Sequence, residues 1–320
     1  MSESDGASSH HHHHDPHSTP PPTLLLLKQV LVESLKIILR NPQTFISIFA
    51  LTTLPLSLLL FSLSLSSHPI KSHVYHLESL ARLAPTRFEA RQVWKESRDD
   101  AVSLLRIKLF YFLPSYLLSL LASVAAVTAA SAKSPSLRSS LAAARSSWTR
   151  PLATSICVYA LLAAYALIPS TLAVIFASGT GPGLFIRVLG SGVEVYLMAV
   201  TGLGLVVSIV EERFGWDAIR VGSGLMAGKR LCGWVLSGLL VMVTAVISRK
   251  LEEVMDGQDL MERSSTGTMT RVVMGIEEKF GWVVLYGLVV LFGYVVTSVF
   301  YCECRKRHVI ESNENENDSV

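Results

Sequence analysis

Glu194 is the one acid inside the long apolar stretches of this chain, and Arg187 precedes it by two helical turns. On a helix the two side chains share a face, about 10 Å apart along the axis. An ionisable group surrounded by lipid marks a counter-ion, a proton relay or a substrate contact, so this pair is the first candidate for chemistry. The competing reading is interfacial. Gly190 and Gly192 lie between the two residues and can mark where a helix enters at headgroup depth. Arg187 would then be interfacial and Glu194 barely buried, in an interfacial or helix-pairing role.

Other reactive groups are few. Cys302 and Cys304 close the last apolar stretch beside Arg305-Lys306-Arg307, where an acyl chain can reach a thiol, so they are either S-palmitoylation sites or two unmodified thiols. His73 and His76, with His68 and Glu78 nearby, have the spacing of a partial metal site, but no second ligand cluster supports them. The run from His10 to His14 reads as a solvated low-complexity tract. There is no Gly-rich phosphate loop, no His-Glu-x-x-His and no Gly-x-Ser-x-Gly. Catalysis needs converging polar groups. The expectation is a non-enzymatic protein with no cofactor and no metal.

The elements that must hold these residues are set by lipid. The chain has 320 residues, 17% of them charged, against the roughly 25% of soluble domains. Six stretches, near 45–66, 109–131, 153–178, 188–210, 231–248 and 281–301, are apolar for about 20 residues, enough to cross a bilayer. Backbone groups there must be satisfied within helices. The fold class predicted is all-α, a polytopic membrane bundle of about six spans with amphipathic interfacial helices. A net charge of +3 is too small and dispersed for nucleic-acid binding. The partners expected are the bilayer and other membrane proteins, with the oligomeric state left open. The four cysteines lie in or beside spans, which argues against a disulfide-stapled ectodomain.

Between the spans the composition changes. Residues 1–22 form a His- and Pro-rich tail expected to be disordered, and 309–320 an acidic tail of the same kind. The domain between them covers 23–308. No basic region leads directly into a short apolar core at the start, so the first span is expected to remain as an anchor. Over 24–41, Gln29, Glu33, Lys36 and Arg40 share a stripe opposite Leu27, Leu31, Leu35 and Ile38. That amphipathic helix lies in the membrane plane or against the end of the bundle. Loops are expected at 67–108 and 249–280, the first partly helical, and a tight turn at 179–183. Ala122, Ala126 and Ala130 make a small-residue stripe for close helix packing.

Orientation follows from Lys and Arg near span ends. Total counts barely discriminate, but the loops on the side of the termini are short and basic. Residues 249–280 instead carry seven acids against five bases. Both termini are therefore expected in the cytosol. The acceptor Asn317-Asp318-Ser319 would stay unglycosylated in that orientation.

Glu211 and Glu212 follow the fourth span and open an interfacial segment, 211–230, expected to be a re-entrant or surface helix tying span four to span five. Acids at a helix C-terminus oppose the macrodipole and need compensation, for which Arg213, Arg220, Lys229 and Arg230 are at hand. The hexapeptide Glu211-Glu212-Arg213-Phe214-Gly215-Trp216 recurs almost unchanged at 277–282, which shared interfacial pressure explains better than duplication.

The pattern of Val207-Ser208-Ile209-Val210-Glu211-Glu212, Phe214-Gly215, Ala218, Leu225 and Gly228-Lys229-Arg230 resembles a family of uncharacterised plant multi-pass proteins. Leu39-Arg40-Asn41-Pro42, Leu54-Pro55-Leu56, Trp148-Thr149-Arg150-Pro151 and Tyr301-Cys302 fit the same family, so the resemblance runs over most of 24–308. The Glu-to-Gly-Lys segment is also similar to the membrane domain accompanying some bacterial glycerophosphodiester phosphodiesterases, whose catalytic domain this chain lacks. The resemblance implies a six-span bundle and marks Glu211, Glu212, Gly215, Ala218 and Gly228 as the motif. The family pattern has a basic residue and Ser where this chain has Val221-Gly222, so no role passes to Ser223. Two functions follow as expectations: organising the membrane or partner proteins, or moving a small solute or ion past Glu194 and Arg187.

Overall fold

The computed structural model describes residues 22–83, 87–132, 142, 148–175, 180–262 and 269–317, and among these no strand occurs. The helices are α1 (Pro22–Arg40), α2 (Pro42–Ile48), α3 (Leu54–Leu83), α4 (Arg87–Ser131), α5 (Thr149–Ile175), α6 (Thr180–Val210), α7 (Gly215–Leu225), α8 (Arg230–Glu262) and α9 (Met269–Asn317). A π-helical turn, Phe49–Thr53, joins α2 to α3. Among the described residues, six segments are long and apolar enough to cross a membrane: Pro42–Ser67, Ser97–Ser131, Thr149–Ile168, Val188–Val210, Arg230–Glu253 and Lys279–Lys306. The chain is an all-α, multi-pass integral membrane protein.

Exposure supports this from the outside. The six apolar windows are only 17% to 44% buried within the protein, and Phe110, Leu39, Leu167 and Met242 stand open. So much contiguous apolar surface is stable only against hydrocarbon. The fourth span is the most enclosed and the third the least, so α6 is central and α5 peripheral.

Several expected boundaries move. Residues 67–108 form the far end of α3 and the start of α4, with only 84–86 outside the described residues. Charged residues do not interrupt a helix whose backbone bonds are internal; they set where it leaves the lipid. Likewise 249–280 is helical to Glu262 and again from Met269, and the acidic tail is helical to Asn317. Of the turn expected at 179–183, Gly179 lies outside the described residues, and Gly181–Gly183 lie in the first turn of α6, which begins at Thr180. The His10–His14 tract, Lys133, Arg138 and Arg145, and residues 318–320 fall outside the described residues.

Pro55 sits in the first turn of α3, just beyond the π turn. A proline ring clashes with the carbonyl four residues before it, and a π turn widens the backbone at that level. Thr52 and Thr53 donate their hydroxyls to the Ile48 and Phe49 carbonyls, at 2.7 and 3.2 Å, which holds the widened turn. Gly287 of α9 packs there, since a Cβ would meet Phe49 and Ser57 at 3.1 Å.

Contacts fix the helix directions. Gly233 and Gly293 face Phe300 and Leu240, so α8 and α9 are antiparallel, whereas Gly202 meets Thr297 and Glu211 meets Tyr301, so α6 and α9 are parallel. One core cluster joins α1, α4, α6, α7, α8 and α9 around Leu203, Val207, Ala218, Met226 and Tyr301. A second joins α2, α4 and α9 through Phe45, Ile48 and Val295, with Ala125, Ala126 and Ala129 fully buried beside them. Small residues let these backbones approach closely in lipid.

The helix α1 has three faces. Val30 and Ser34 are buried against the bundle, Gln29, Glu33, Lys36 and Arg40 are exposed on a polar stripe, and Leu25, Val32, Leu35 and Leu39 are exposed between these two. Lys28 lies in the apolar sector, with a stem long enough to carry its charge to water. Val30 thus sets α1 against the bundle, one of the two placements weighed from sequence, and leaves an apolar and a polar strip outside the contact.

A candidate functional site at the end of the fourth span

The polar groups converge where α6 ends. Glu211 continues the helical hydrogen bonding, its N–H donating to the Val207 carbonyl at 2.7 Å, and its carboxylate is only 16% exposed. A carboxylate at a helix C-terminus is unfavourable unless donors surround it. They come from the far end of the sequence: the buried Tyr301 hydroxyl donates to Glu211 Oε1 at 2.6 Å, and Arg305 donates to the same oxygen. Arg305 also donates to the Tyr301 hydroxyl at 2.9 Å, closing a three-membered network one turn apart on α9. Arg213 approaches Glu211 Oε2 at 3.9 Å and donates to Asp217 at 3.1 Å.

A second set of contacts holds Glu212 and Gly215. Glu212 faces Arg150 at 3.7 Å, an exposed pair worth little by itself. The Gly215 N–H donates to the buried Thr154 hydroxyl at 2.9 Å, and Thr154 in turn donates to the Arg150 carbonyl. Gly215 has φ +63, the left-handed region that favours glycine, so the chain reverses there from extended Phe214 into α7. Gly228 (φ +82) plays the same part at the other end, before α8. Ala218 is fully buried in the core.

The helix α7 folds back on α6 at two glycines. A Cβ on Gly222 would lie 2.8 Å from the Gly204 nitrogen, and one on Gly204 would lie 2.9 Å from Ile219 Cα. A larger side chain at Gly222 would force the two backbones apart. Phe214 and Trp216 remain exposed beside Asp217 and Arg220, the mixture that suits headgroup depth. With 11 residues, α7 is too short to cross.

Of the candidate motif, Glu211, Glu212 and Gly215 lie in these contacts, Ala218 in the core behind them and Gly228 at the far turn, and Arg213 is one of the compensating cations weighed from sequence. Among the described residues, Arg305 and Arg150, which were not weighed, hold the two acids together with Arg213. Lys229 is instead 8% exposed, within electrostatic range of the Cys232 and Cys304 thiols. The helical repeat gives no register between separate spans, so Arg305 was not accessible to local reading. The one available signal was that Tyr301 and Arg305 stand four apart at a basic span end.

The remaining candidates lie apart. Glu194 is exposed on the outer surface of α6, and Arg187 lies on the same helix with its side chain outside the described residues. The nearby Gly190 and Gly192 carbonyls accept from Tyr165 at 2.7 Å and Trp234 at 2.8 Å. Cys304 is buried in the core and Cys302 half-buried beside it, so an acyl chain on Cys304 would have to displace packed side chains. His73 pairs with Asp100 at 2.6 Å, and the described residues contain no group of three metal-ligating side chains.

Thr154→Val is expected to cost about 1–3 kcal/mol by leaving the buried Gly215 N–H unpaired. Thermal unfolding in detergent measures it. Thr154→Ser should restore the midpoint, and a Val variant melting with the parent would refute the tie.

A family model described as Domain of unknown function (DUF8558) matches residues 23–316. No curated protein and no solved structure matches the chain.

Proposed function

The chain belongs to the DUF8558 family, whose model covers the bundle from α1 to the end of α9, and from that premise we propose that it organises partner proteins at the membrane without catalysing a reaction. The observation that carries this is the paired extension of α3 and α4. Their spans end at Ser67 and begin at Ser97, while the helices themselves run on to Leu83 and back to Arg87. His73 and Asp100 bind the pair at its base. Such a stiff helical projection offers partners a surface held at fixed distance from the lipid. The latch around Glu211 holds the opposite end of the bundle rigid, so that surface has a defined orientation. In this reading both termini face the cytosol and the projection faces away from it. The transport alternative gains no support from the exposed position of Glu194.

Mild-detergent native electrophoresis tests the proposal. The full chain should migrate in an assembly well above its own 35.0 kDa, and a chain with residues 70–95 replaced by a short Gly-Ser linker should migrate at its own mass while remaining in membranes. Equal migration of the two would overturn it, as would turnover of a lipid headgroup by the purified protein.

A further inference from the structure

A cavity of about 210 Å³ lies between α4, α5 and α6 at the middle depth of spans two, three and four. Six hydroxyl-bearing residues line it, Tyr116, Ser119, Ser123, Ser155, Tyr159 and Thr201, and none of its described lining residues is charged. Tyr159 and Met198 are exposed at its edge, where the surroundings are hydrocarbon.

The hydrogen bonding defines what fits. Ser123, Ser155 and Thr201 donate to carbonyls of their own helices at 2.8, 2.9 and 2.8 Å, which uses their protons and leaves oxygen lone pairs. Ser119 is bonded to Tyr294 at 3.0 Å and Tyr116 to Ser155 at 2.6 Å. The Tyr159 hydroxyl has no hydrogen-bond partner among the described residues, and in lipid no water supplies one. The lining therefore offers acceptors together with the free Tyr159 donor, the complement of a neutral hydroxyl. A charged group would be buried unpaired.

Shape narrows the class further. A dry cavity of about 150 Å³ takes one benzene ring, so this one admits a single ring and not a whole lipid. Tyr116 and Tyr159 meet edge to face at 5.3 Å, and Phe112 stacks on Tyr116, so one wall is aromatic. Such a wall favours a flat ring over a flexible chain. We propose that this cavity binds the hydroxyl-bearing ring of a neutral lipid alcohol, sterol-like in form, which enters sideways from the bilayer and leaves its body in the hydrocarbon. This inference stands independently of the organising role.

Photolabelling tests it on the full chain in phosphatidylcholine vesicles, with a sterol carrying a diazirine and an alkyne. Labelling should saturate, map to α4, α5 and α6, and be displaced by free sterol but about fivefold less well by its 3-O-methyl ether, which lacks the donor. Leu162→Trp, which fills the cavity, should abolish saturable labelling. Tyr159→Phe should weaken displacement by free sterol about fivefold and, being at the exposed edge, leave folding unchanged. Non-saturable labelling, equal displacement by the ether, or unaltered labelling of either variant would overturn the proposal. Should Leu162→Trp fail to fold, Tyr159→Phe decides alone.

Discussion

Glu211→Ala is expected to lower stability by about 2–3 kcal/mol and to reduce the amount of protein in membranes. Most of that loss belongs to Tyr301, whose buried hydroxyl forfeits its acceptor, at a cost of about 1–3 kcal/mol. Arg305 contributes less, because its side chain is 52% exposed and regains water. Glu211→Gln keeps an acceptor for Tyr301 and should fall between Ala and the parent. The pair also predicts coupling: Glu211→Ala combined with Tyr301→Phe should cost less than the sum of the two single changes. Thermal unfolding in detergent and quantitative membrane fractionation measure these effects. An unchanged midpoint and unchanged accumulation in Glu211→Ala would remove the latch from the description of the protein.

Gly222→Val is expected to cost about 3 kcal/mol, the upper part of the range for overpacking. The nearest atoms to a Cβ at Gly222 belong to the Gly204 backbone, at 2.8 and 3.1 Å, so no rotamer change relieves the contact and α7 must leave α6. Detachment would expose Ala218 and Met226, so proteolysis between α6 and α8 should accelerate along with the drop in unfolding temperature. Gly224 provides the contrast two residues away. Nothing lies within 4 Å of its would-be Cβ, and Gly224→Ala should be neutral or gain up to about 1 kcal/mol in helix propensity. Equal behaviour of the two variants would contradict the close approach.

The spans were legible because hydrocarbon thickness imposes a length and a composition that sequence displays directly. Their ends were less so. Lys and Arg near 98–108 read as loop, yet they lie on α4, because a helix needs no apolar residues once it has left the lipid. The clearest limit is the repeated hexapeptide. At 211–216 it breaks the helix, with Gly215 left-handed; at 277–282 nearly the same residues lie inside α9. The difference is context. The first copy follows its span and is caught by Thr154, Tyr301 and Arg305, whereas the second precedes its span and continues into it. Tertiary partners of this kind, contributed from 61 to 94 residues away, carry no local signature. The motif Trp148-Thr149-Arg150-Pro151 was visible as a segment, but its meaning emerged only once Arg150 stood against Glu212.

With 49 residues and no internal proline, α9 extends about 70 Å at 1.5 Å per residue, more than twice the hydrocarbon thickness. It is a strut that reaches water on both sides without a joint. Met269, at its start, and Tyr301 and Arg305, in the latch on Glu211, therefore belong to one uninterrupted helix. The latch at one end of the bundle is thus carried by the same helix that begins beyond the hydrocarbon at the other.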